Sequence, residues 1–416
     1  MSPRARHATS LLALGAIAAI VALFVGGISS GGGGGAAPPC GAATAATYKA
    51  SALSVALRVA AGERDGGAVH RALHTIETDR VLARAAAAGD AAAVHSELLV
   101  LLYNHMHIVR MRVVGNGRVL DDLGGPLVLA PVGGSLRLGG RVVGSFVMSI
   151  QDDLGYRLLL SRLIGVHTVM TYHGRTLMRD IAVSPRRLGG AASVRVGDRS
   201  YLVAQLTVGH FPQGQLRVYL LVHPPAASLA RVSCAQVRAD AMAYVARRAY
   251  DEALGGQQIV HALDAITGAS ALRAALAAGD DAAAARAVRE MVRSGGFAGL
   301  QVFTRGHLVA AAGSSRALLA PVSLPLKDAS GHLLGRALFT AQSAHGYADL
   351  AHSLTGVPVL VRSGASQLAG TFPGPPSLPS AGSLLYKGVR YSVASFAGER
   401  FPSGPLRVYV LNPATS

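Results

Sequence analysis

The sequence predicts an α+β protein made of two tandem repeats of one domain, preceded by an apolar N-terminal helix. The first observation is repetition: the sequence LAPV at 129–132 recurs at 319–322 (319 − 129 = 190), and LRVY at 216–219 recurs at 406–409 with the same offset. The second is a change within each repeat from helical spacing to strand alternation. About 190 residues is a common size for one domain, so the sequence predicts one fold written twice.

The first 28 residues contain an uncharged apolar segment, 11–28, that follows Arg4 and Arg6. About 18 apolar residues are the lower limit for a transmembrane helix. Basic residues stay on the cytoplasmic side, so the rest of the chain is expected outside the cytoplasm. A cleaved signal peptide is the alternative, because its flanks look the same. The expected location is the cell membrane with a single N-terminal span, or secretion, and the Gly/Pro-rich residues 29–39 are expected to form a flexible stalk.

Each repeat is predicted to begin with helices. In the second repeat, 234–412, the segment 235–253 contains no Gly or Pro, and Gly255-Gly256 would end its helix. Shorter helices are predicted to follow at 257–266, 271–278 and 280–293. The first repeat, 40–222, has the same order, at 40–64, 68–75, 79–88 and 90–103, and a linker at 223–233 separates the two. Asp90 and Asp280 each follow a glycine and are good N-caps.

The second part of each repeat is predicted to be mainly strands. Gly115-Asn116-Gly117 is typical of a tight hairpin turn. Gly165 and Gly356 are placed to end a helix in the left-handed conformation. In the first repeat the predicted strands are 107–114, 118–122, 141–151, 166–172, 193–197, 201–208 and 215–222, with a helix at 154–164. The second repeat is predicted to have strands at 300–304, 307–311, 332–342, 357–361, 383–386, 391–396 and 405–411, with a helix at 345–354. We therefore expect N-terminal helices and one antiparallel sheet per repeat.

The chain has two cysteines, Cys40 and Cys234, and each precedes the first predicted helix of its repeat. Outside the cytoplasm a disulfide between them is chemically permitted. The alternative is two independent small residues at helix starts, because the sequence does not give the Cα separation that a bridge requires. The sequence leaves both interpretations open.

The net charge is +17, and nearly all of it comes from arginine. Export removes nucleic acid as the natural partner, whereas an anionic envelope polymer or lipid surface would suit a basic protein. The arginines are scattered singly or in pairs, so the simpler interpretation is a solvated surface.

The order of these elements, and the stretches 139–174 and 331–364 in particular, resemble the Cache (PDC-type, PAS-like) extracytoplasmic sensor domains. The resemblance covers both repeats and implies a twisted antiparallel sheet with a ligand pocket between the sheet and the helices. The amino-acid-binding members rely on a tryptophan, and this chain has none, so that ligand class does not carry over. The sequence stops after the last predicted strand. We therefore expect no output domain in the same chain, and a separate membrane signalling protein is a candidate partner.

Polar residues at the strand-to-helix corner of each repeat are the candidate ligand-binding residues. In a PAS-like domain this corner borders the pocket, so its polar groups could orient a small molecule. The alternative is a purely structural role, because any such corner needs a helix cap, an edge glutamine and a core tyrosine. Recurrence of these residues in both repeats favours that interpretation. The candidates are Ser149, Gln151, Asp152, Asp153 and Tyr156 in the first repeat and Gln342, His345 and Tyr347 in the second.

The sequence contains no recognisable catalytic motif, and we expect neither an enzyme nor a cofactor. His105 and His107 could share one strand face, but no third ligand is obvious, so no metal site is predicted. Two functions remain. The first is binding or sensing of a small molecule or envelope component outside the cytoplasm. The second is a structural or adhesive envelope protein without a small-molecule ligand.

Overall fold

The computed structural model describes residues 38–104, 108–125, 128–294, 296–314 and 318–414. The predicted N-terminal segment, nearly all of the predicted stalk, His105 and His107 lie outside the described residues. Among the described residues no single helix meets the length and hydropathy criteria for a membrane span, and one bent pair, Cys234–Gly268 with Ser270–Ala278, meets them together. The described chain is α+β, with helices and several antiparallel sheets.

The first repeat begins with helices, as the sequence predicts. After a 3-10 turn at Gly41–Ala43 come α1 (Thr44–Asp65), α2 (Gly67–Thr78), α3 (Arg80–Ala88) and α4 (Ala91–Asn104). The carboxylate of Asp79 accepts hydrogen bonds from the first backbone N–H groups of α3, and Asp90 does the same for α4. Gly89 ends α3 with φ 69°. Side-chain caps and a left-handed glycine therefore set these helix boundaries.

A four-stranded sheet packs against α2, α3 and α4. Its strands are β1 (Arg110–Gly115), β2 (Arg118–Gly124), β4 (Val132–Leu138) and β5 (Arg141–Ser149), in the order β2-β1-β5-β4, while β3 (Val128–Leu129) pairs with β6 (Gln151–Asp152). The predicted hairpin turn is confirmed, because Asn116 and Gly117 have φ 52° and 75°. The core between helices and sheet contains Ile76, Leu98 and Met111.

A five-stranded sheet completes the first repeat. It follows α5 (Asp153–Ile164), which ends at Gly165 with φ 70°. The strands are β7 (His167–Tyr172), β8 (Arg175–Arg179), β9 (Ser193–Val196), β10 (Arg199–Gly209) and β11 (Gln215–Val222), in the order β8-β7-β11-β10-β9. The expectation of one sheet per repeat was therefore wrong. The helix α5 interrupts the chain after the first sheet, and the strands that follow pair with one another.

The second repeat has the same elements. Its helices are α6 (Cys234–Gly255), α7 (Gln257–Gly268), α8 (Ser270–Ala278), α9 (Asp281–Ser294) and α10 (Ala344–Thr355). Its strands are β12 (Gly299–Thr304), β13 (His307–Gly313), β14 (Leu318–Leu319), β15 (Val322–Lys327), β16 (Leu333–Thr340), β17 (Gln342–Ser343), β18 (Val359–Ser363), β19 (Ser366–Gly370), β20 (Ala381–Tyr386), β21 (Val389–Glu399) and β22 (Pro405–Pro413). The sheet orders, β13-β12-β16-β15 and β19-β18-β22-β21-β20, match those of the first repeat.

The two repeats share their central core. Helix α1 packs against its counterpart α6, and the five-stranded sheets pack against these helices, β10 and β11 against α1 and β21 and β22 against α6. One continuous apolar cluster contains residues of α1, α5, α6, α10 and both five-stranded sheets. At the rim, Arg248 of α6 donates a 2.6 Å hydrogen bond to the carbonyl of Arg162 in α5. The equivalent Arg58 of α1 lies against Gly356, which ends α10. Residues Pro39–Ala414 therefore pack as one unit.

A disulfide joins the starts of the two central helices. Cys40 precedes α1, Cys234 begins α6, and their Cα atoms are 4.6 Å apart. The backbone N–H of Cys40 also donates a 2.7 Å hydrogen bond to the carbonyl of Val232. The disulfide therefore lies at the N-terminal ends of the two helices that pack together between the repeats.

Candidate functional site

The corner residues of the first repeat hold the turn from strand to helix. The buried hydroxyl of Ser149 donates to the carbonyl of Leu129 and accepts a 3.2 Å hydrogen bond from the N–H of Gln151. The side-chain amide of Gln151 donates to the carbonyl of Asp152 at 3.1 Å. The carboxylate of Asp152 accepts from the N–H of Gly155 in the first turn of α5. Each group thus has a partner within the corner itself.

The second repeat has the same corner. Thr340 takes the place of Ser149 and donates to the carbonyl of Leu319. Ser343 caps α10 by accepting a 3.0 Å hydrogen bond from Gly346. The amide of Gln342 donates to the carbonyl of Ser343 at 3.3 Å, and His345 is exposed. These contacts repeat those of the first corner, which is the pattern that shared architecture produces.

The two predicted tyrosines lie inside the shared core. The hydroxyl of Tyr156 donates to the carbonyl of Ala56 in α1 at 3.0 Å, and that of Tyr347 donates to the carbonyl of Ala246 in α6 at 2.7 Å. Burial raises the pKa of both phenols, so they remain neutral donors. Their visible role is to fix α5 and α10 on the central helices.

Asp153 is the one candidate corner residue with a buried side-chain atom that has no hydrogen-bond partner among the described residues. It is 6% exposed. One carboxylate oxygen accepts a 3.0 Å hydrogen bond from the N–H of Leu154, and Oδ2 has no partner among the described residues. Burial raises the pKa of this carboxyl group. Neither Asp153 nor any other predicted corner residue lines the cavity described next.

A cavity of about 470 Å³ opens on the outer face of the first repeat's five-stranded sheet. We call it the outer cleft; its lining includes Thr171, His173, Arg186, Thr207, Gln215, Arg217 and Tyr219. Strand alternation places Thr171, Thr207, Arg217 and Tyr219 there, because neighbouring side chains point to opposite faces, whereas Arg186 comes from the connection between β8 and β9. In β11, Leu216 and Val218 enter the shared core, while Arg217 and Tyr219 face the cleft.

The connection between β8 and β9 covers part of this sheet face. Val183 and Leu188 are buried and pack with Val169 and Tyr219 of the sheet. The connection also holds its own shape: the carbonyl of Pro185 accepts hydrogen bonds from the N–H groups of Leu188 and Gly189, at 3.0 and 3.3 Å. The covering segment is therefore held by these apolar contacts with the sheet and by its own backbone hydrogen bonds, and the polar space beside them remains open.

The outer cleft is lined by cationic and neutral polar groups. Arg217 projects from the sheet and Arg186 from the covering segment, and both are exposed. Neither guanidinium forms a hydrogen bond or ion pair with the residues that the structure describes. No carboxylate is among the lining residues, which add His173 and the hydroxyls of two threonines. The cleft can therefore donate several hydrogen bonds and carries positive charge.

The equivalent space in the second repeat is occupied by an arginine of the chain. Arg407 pairs with Arg362 across β22 and β18 in the register that joins Arg217 to Thr171 across β11 and β7. Arg362 is 6% exposed and donates to the carbonyls of Pro375 and Pro376 in the covering segment. The two repeats therefore differ at the cleft floor: a short threonine leaves it open in the first, and a guanidinium fills it in the second.

The outer cleft did not follow from the sequence pattern, although residues that form it recur in both repeats. The recurrence of Arg217 and Tyr219 as Arg407 and Tyr409 was interpreted only as a sign of duplication. The informative difference was Thr171 against Arg362, but its meaning depends on strand pairing that only the structure gives. Within the described residues there is no cluster of three His, Cys, Asp or Glu side chains that could hold a metal ion. No protein-family model and no curated protein matches this chain.

Proposed function

We propose that the protein binds a small molecule outside the cytoplasm, as a non-enzymatic binding or sensing protein, and that the outer cleft is its binding site. The cavity, open to solvent beneath a covering segment, is the observation that carries this proposal. Its volume of about 470 Å³ lies in the usual range for ligand sites, roughly 300 to 1,000 Å³. Its lining supplies donors in a small space, which suits recognition of a polar ligand.

The proposal includes the tandem PAS-like, Cache-type arrangement. Its support is that each repeat combines a long helix with antiparallel sheets in one recurring strand order. The proposed site lies on the outer face of its sheet, beneath the covering segment, and not between the sheet and the helices as the resemblance implies. A separate membrane signalling protein would then read the bound state.

An extracytoplasmic location is part of the same proposal. The apolar segment at 11–28 supports it, either as an anchor or as a signal peptide. The disulfide supports it too, because such bridges persist in oxidising compartments and are rare in the cytosol.

The second candidate is a structural or adhesive envelope protein. The observation that favours it is Arg362, which fills the second repeat's equivalent of the outer cleft. A net charge of +17 would also suit an anionic envelope polymer. If this candidate is right, the outer cleft is an unfilled gap and binds nothing specifically.

A thermal-shift screen of the full-length chain against polar metabolites and cell-wall fragments tests the proposed function. A ligand at a hundred times its dissociation constant should add about 2.7 kcal/mol to the free energy of unfolding. Thr207→Phe should abolish the shift, because the exposed Thr207 lines the cleft and the ring would occupy it. The matched control is Ala397→Phe, the equivalent exposed position in the second repeat.

Two outcomes contradict the proposal. One is a screen without hits, which would favour the envelope-protein candidate and lead to binding assays on isolated cell wall. The other is a ligand whose stabilisation is the same in Thr207→Phe as in the wild type, which would place its site elsewhere.

A further inference from the structure

We propose that the ligand of the outer cleft is a small anion whose carboxylate or phosphate group is held jointly by Arg217 and Arg186. This inference rests on the proposed function and adds the chemical class of the ligand. The charge of the lining, the different origins of the two arginines and the contrast between the repeats support it.

The lining has positive charge without compensation. Arg217 and Arg186 both face the cleft, and no Asp or Glu is among its lining residues. Asp180, in the covering segment, is already engaged by the N–H of Thr168 and by Arg157. Guanidinium groups match carboxylate and phosphate oxygens with paired, charge-assisted hydrogen bonds. A cationic ligand would be repelled by these guanidinium groups, and a neutral acceptor would form weaker hydrogen bonds with them than an anion would.

The two arginines come from different elements. Arg217 lies on β11 of the sheet, and Arg186 lies in the 3-10 turn of the covering segment. An anion bound by both would therefore link the segment to the sheet. Hydroxyl groups of Thr171 and Tyr219, which have no hydrogen-bond partner among the described residues, lie on the floor of the same space. They can orient the remainder of the ligand.

The second repeat makes an equivalent link within the chain. Arg362 rises from the sheet floor and binds the carbonyls of Pro375 and Pro376 in the covering segment. In the first repeat the corresponding carbonyl of Pro185 is taken by backbone N–H groups of its own turn. Arg186 presents a cation instead. The covering segment of the first repeat thus presents a guanidinium group, which would attract an anion. That of the second repeat presents carbonyl oxygens, which bind the guanidinium of Arg362.

Isothermal titration calorimetry on the full-length chain tests the inference with three probes. Succinate represents carboxylates, inorganic phosphate represents phosphates, and succinamide is the uncharged analogue of succinate. We expect succinate or phosphate to bind and succinamide to bind at least tenfold more weakly, because a charge-assisted hydrogen bond would be lost. Binding of succinate alone assigns the carboxylate class, and binding of phosphate alone assigns the phosphate class.

Three variants locate the site. Arg217→Gln and Arg186→Gln should each weaken anion binding about tenfold or more. Arg407→Gln, the counterpart of Arg217 in the second repeat, removes the same charge from the protein and should leave binding unchanged. Circular dichroism of each variant checks its fold, and the exposed positions of Arg186 and Arg217 make them suitable for substitution.

Four results would overturn the anion inference. If succinamide binds as tightly as succinate, the site does not distinguish ligands by their charge. Equal weakening in Arg407→Gln and Arg217→Gln would show attraction to the net positive charge alone. A neutral hit from the metabolite screen that Thr207→Phe abolishes would keep the proposed function and reject the anion. Absence of any cleft ligand would reject both.

Discussion

Removal of the disulfide between Cys40 and Cys234 should lower stability substantially. The two cysteines are 194 positions apart, so the bridge closes a long loop in the unfolded chain. In the chain-entropy treatment, a loop of this length corresponds to about 5 kcal/mol of stabilisation. The bridge also joins the starts of α1 and α6, which pack together in the shared core. The double variant Cys40→Ser, Cys234→Ser should therefore fold with the same secondary structure but unfold more easily.

Differential scanning calorimetry measures the effect. An unfolding entropy of roughly 2 cal/mol/K per residue gives about 0.8 kcal/mol/K for a unit the size of Pro39–Ala414. A loss of about 5 kcal/mol then lowers Tm by about 6 °C. Agreement between calorimetric and van't Hoff enthalpies should be checked first, because the conversion assumes two-state unfolding.

Reduction of the wild-type protein provides the matched control. A thiol reductant should lower the wild-type Tm to that of the double variant and should leave the double variant unchanged. The reasoning would be refuted if the reduced protein, with two free thiols counted by titration, melted within 1 °C of the oxidised form.

Three further predictions concern single residues. Tyr347→Phe should lower the free energy of unfolding by about 1 kcal/mol, since the Ala246 carbonyl loses a buried hydrogen bond; an unchanged urea midpoint would contradict this. Gly279→Ala should cost roughly 1 to 2 kcal/mol because Gly279 has φ 69° with open space around it, and the same urea titration measures it. Burial tends to raise the pKa of Asp122, but hydrogen bonds from Arg110 and Arg112 outweigh burial and hold it below its usual value. Stability from Asp122 is then present above the ordinary carboxyl pKa and is lost as pH falls through the lowered value. The urea midpoint of Asp122→Asn should therefore decline less steeply with acidification than that of the wild type. Equal declines in the two proteins would count against this assignment.

Local features of the fold were predictable because single residues determine them. Asn116 and Gly117 adopt the positive φ angles of a tight turn, and Gly165 and Gly356 end their helices with φ 70°. Such conformations favour Gly and Asn wherever they occur in a protein. The Asp90 cap was predictable from a different single-residue preference, that of a carboxylate for the free N–H groups at the start of a helix.

The separation of strands into two sheets per repeat was not predictable in this way. Strand β4 contains adjacent glycines, which weaken a strand pattern, and β8 has only five residues. Whether a strand joins one sheet or another depends on pairing between distant segments. The outer cleft had the same difficulty, because its floor combines residues from β7, β10 and β11. The corner residues were correctly placed at the strand-to-helix turn, but the alternation of β11 gave no sign of which face remained open.

The shared central core has a consequence for how the two clefts could diverge. Had the same helices met between two identical chains, one gene would encode both copies, and any residue at the cleft floor would appear twice. Joining the copies in one polypeptide removes that coupling. Thr171 and Arg362 occupy the same structural position with different side chains, which a symmetric homodimer cannot do. Covalent fusion thus lets one copy keep an open cleft while an arginine of the other copy holds its own covering segment in place.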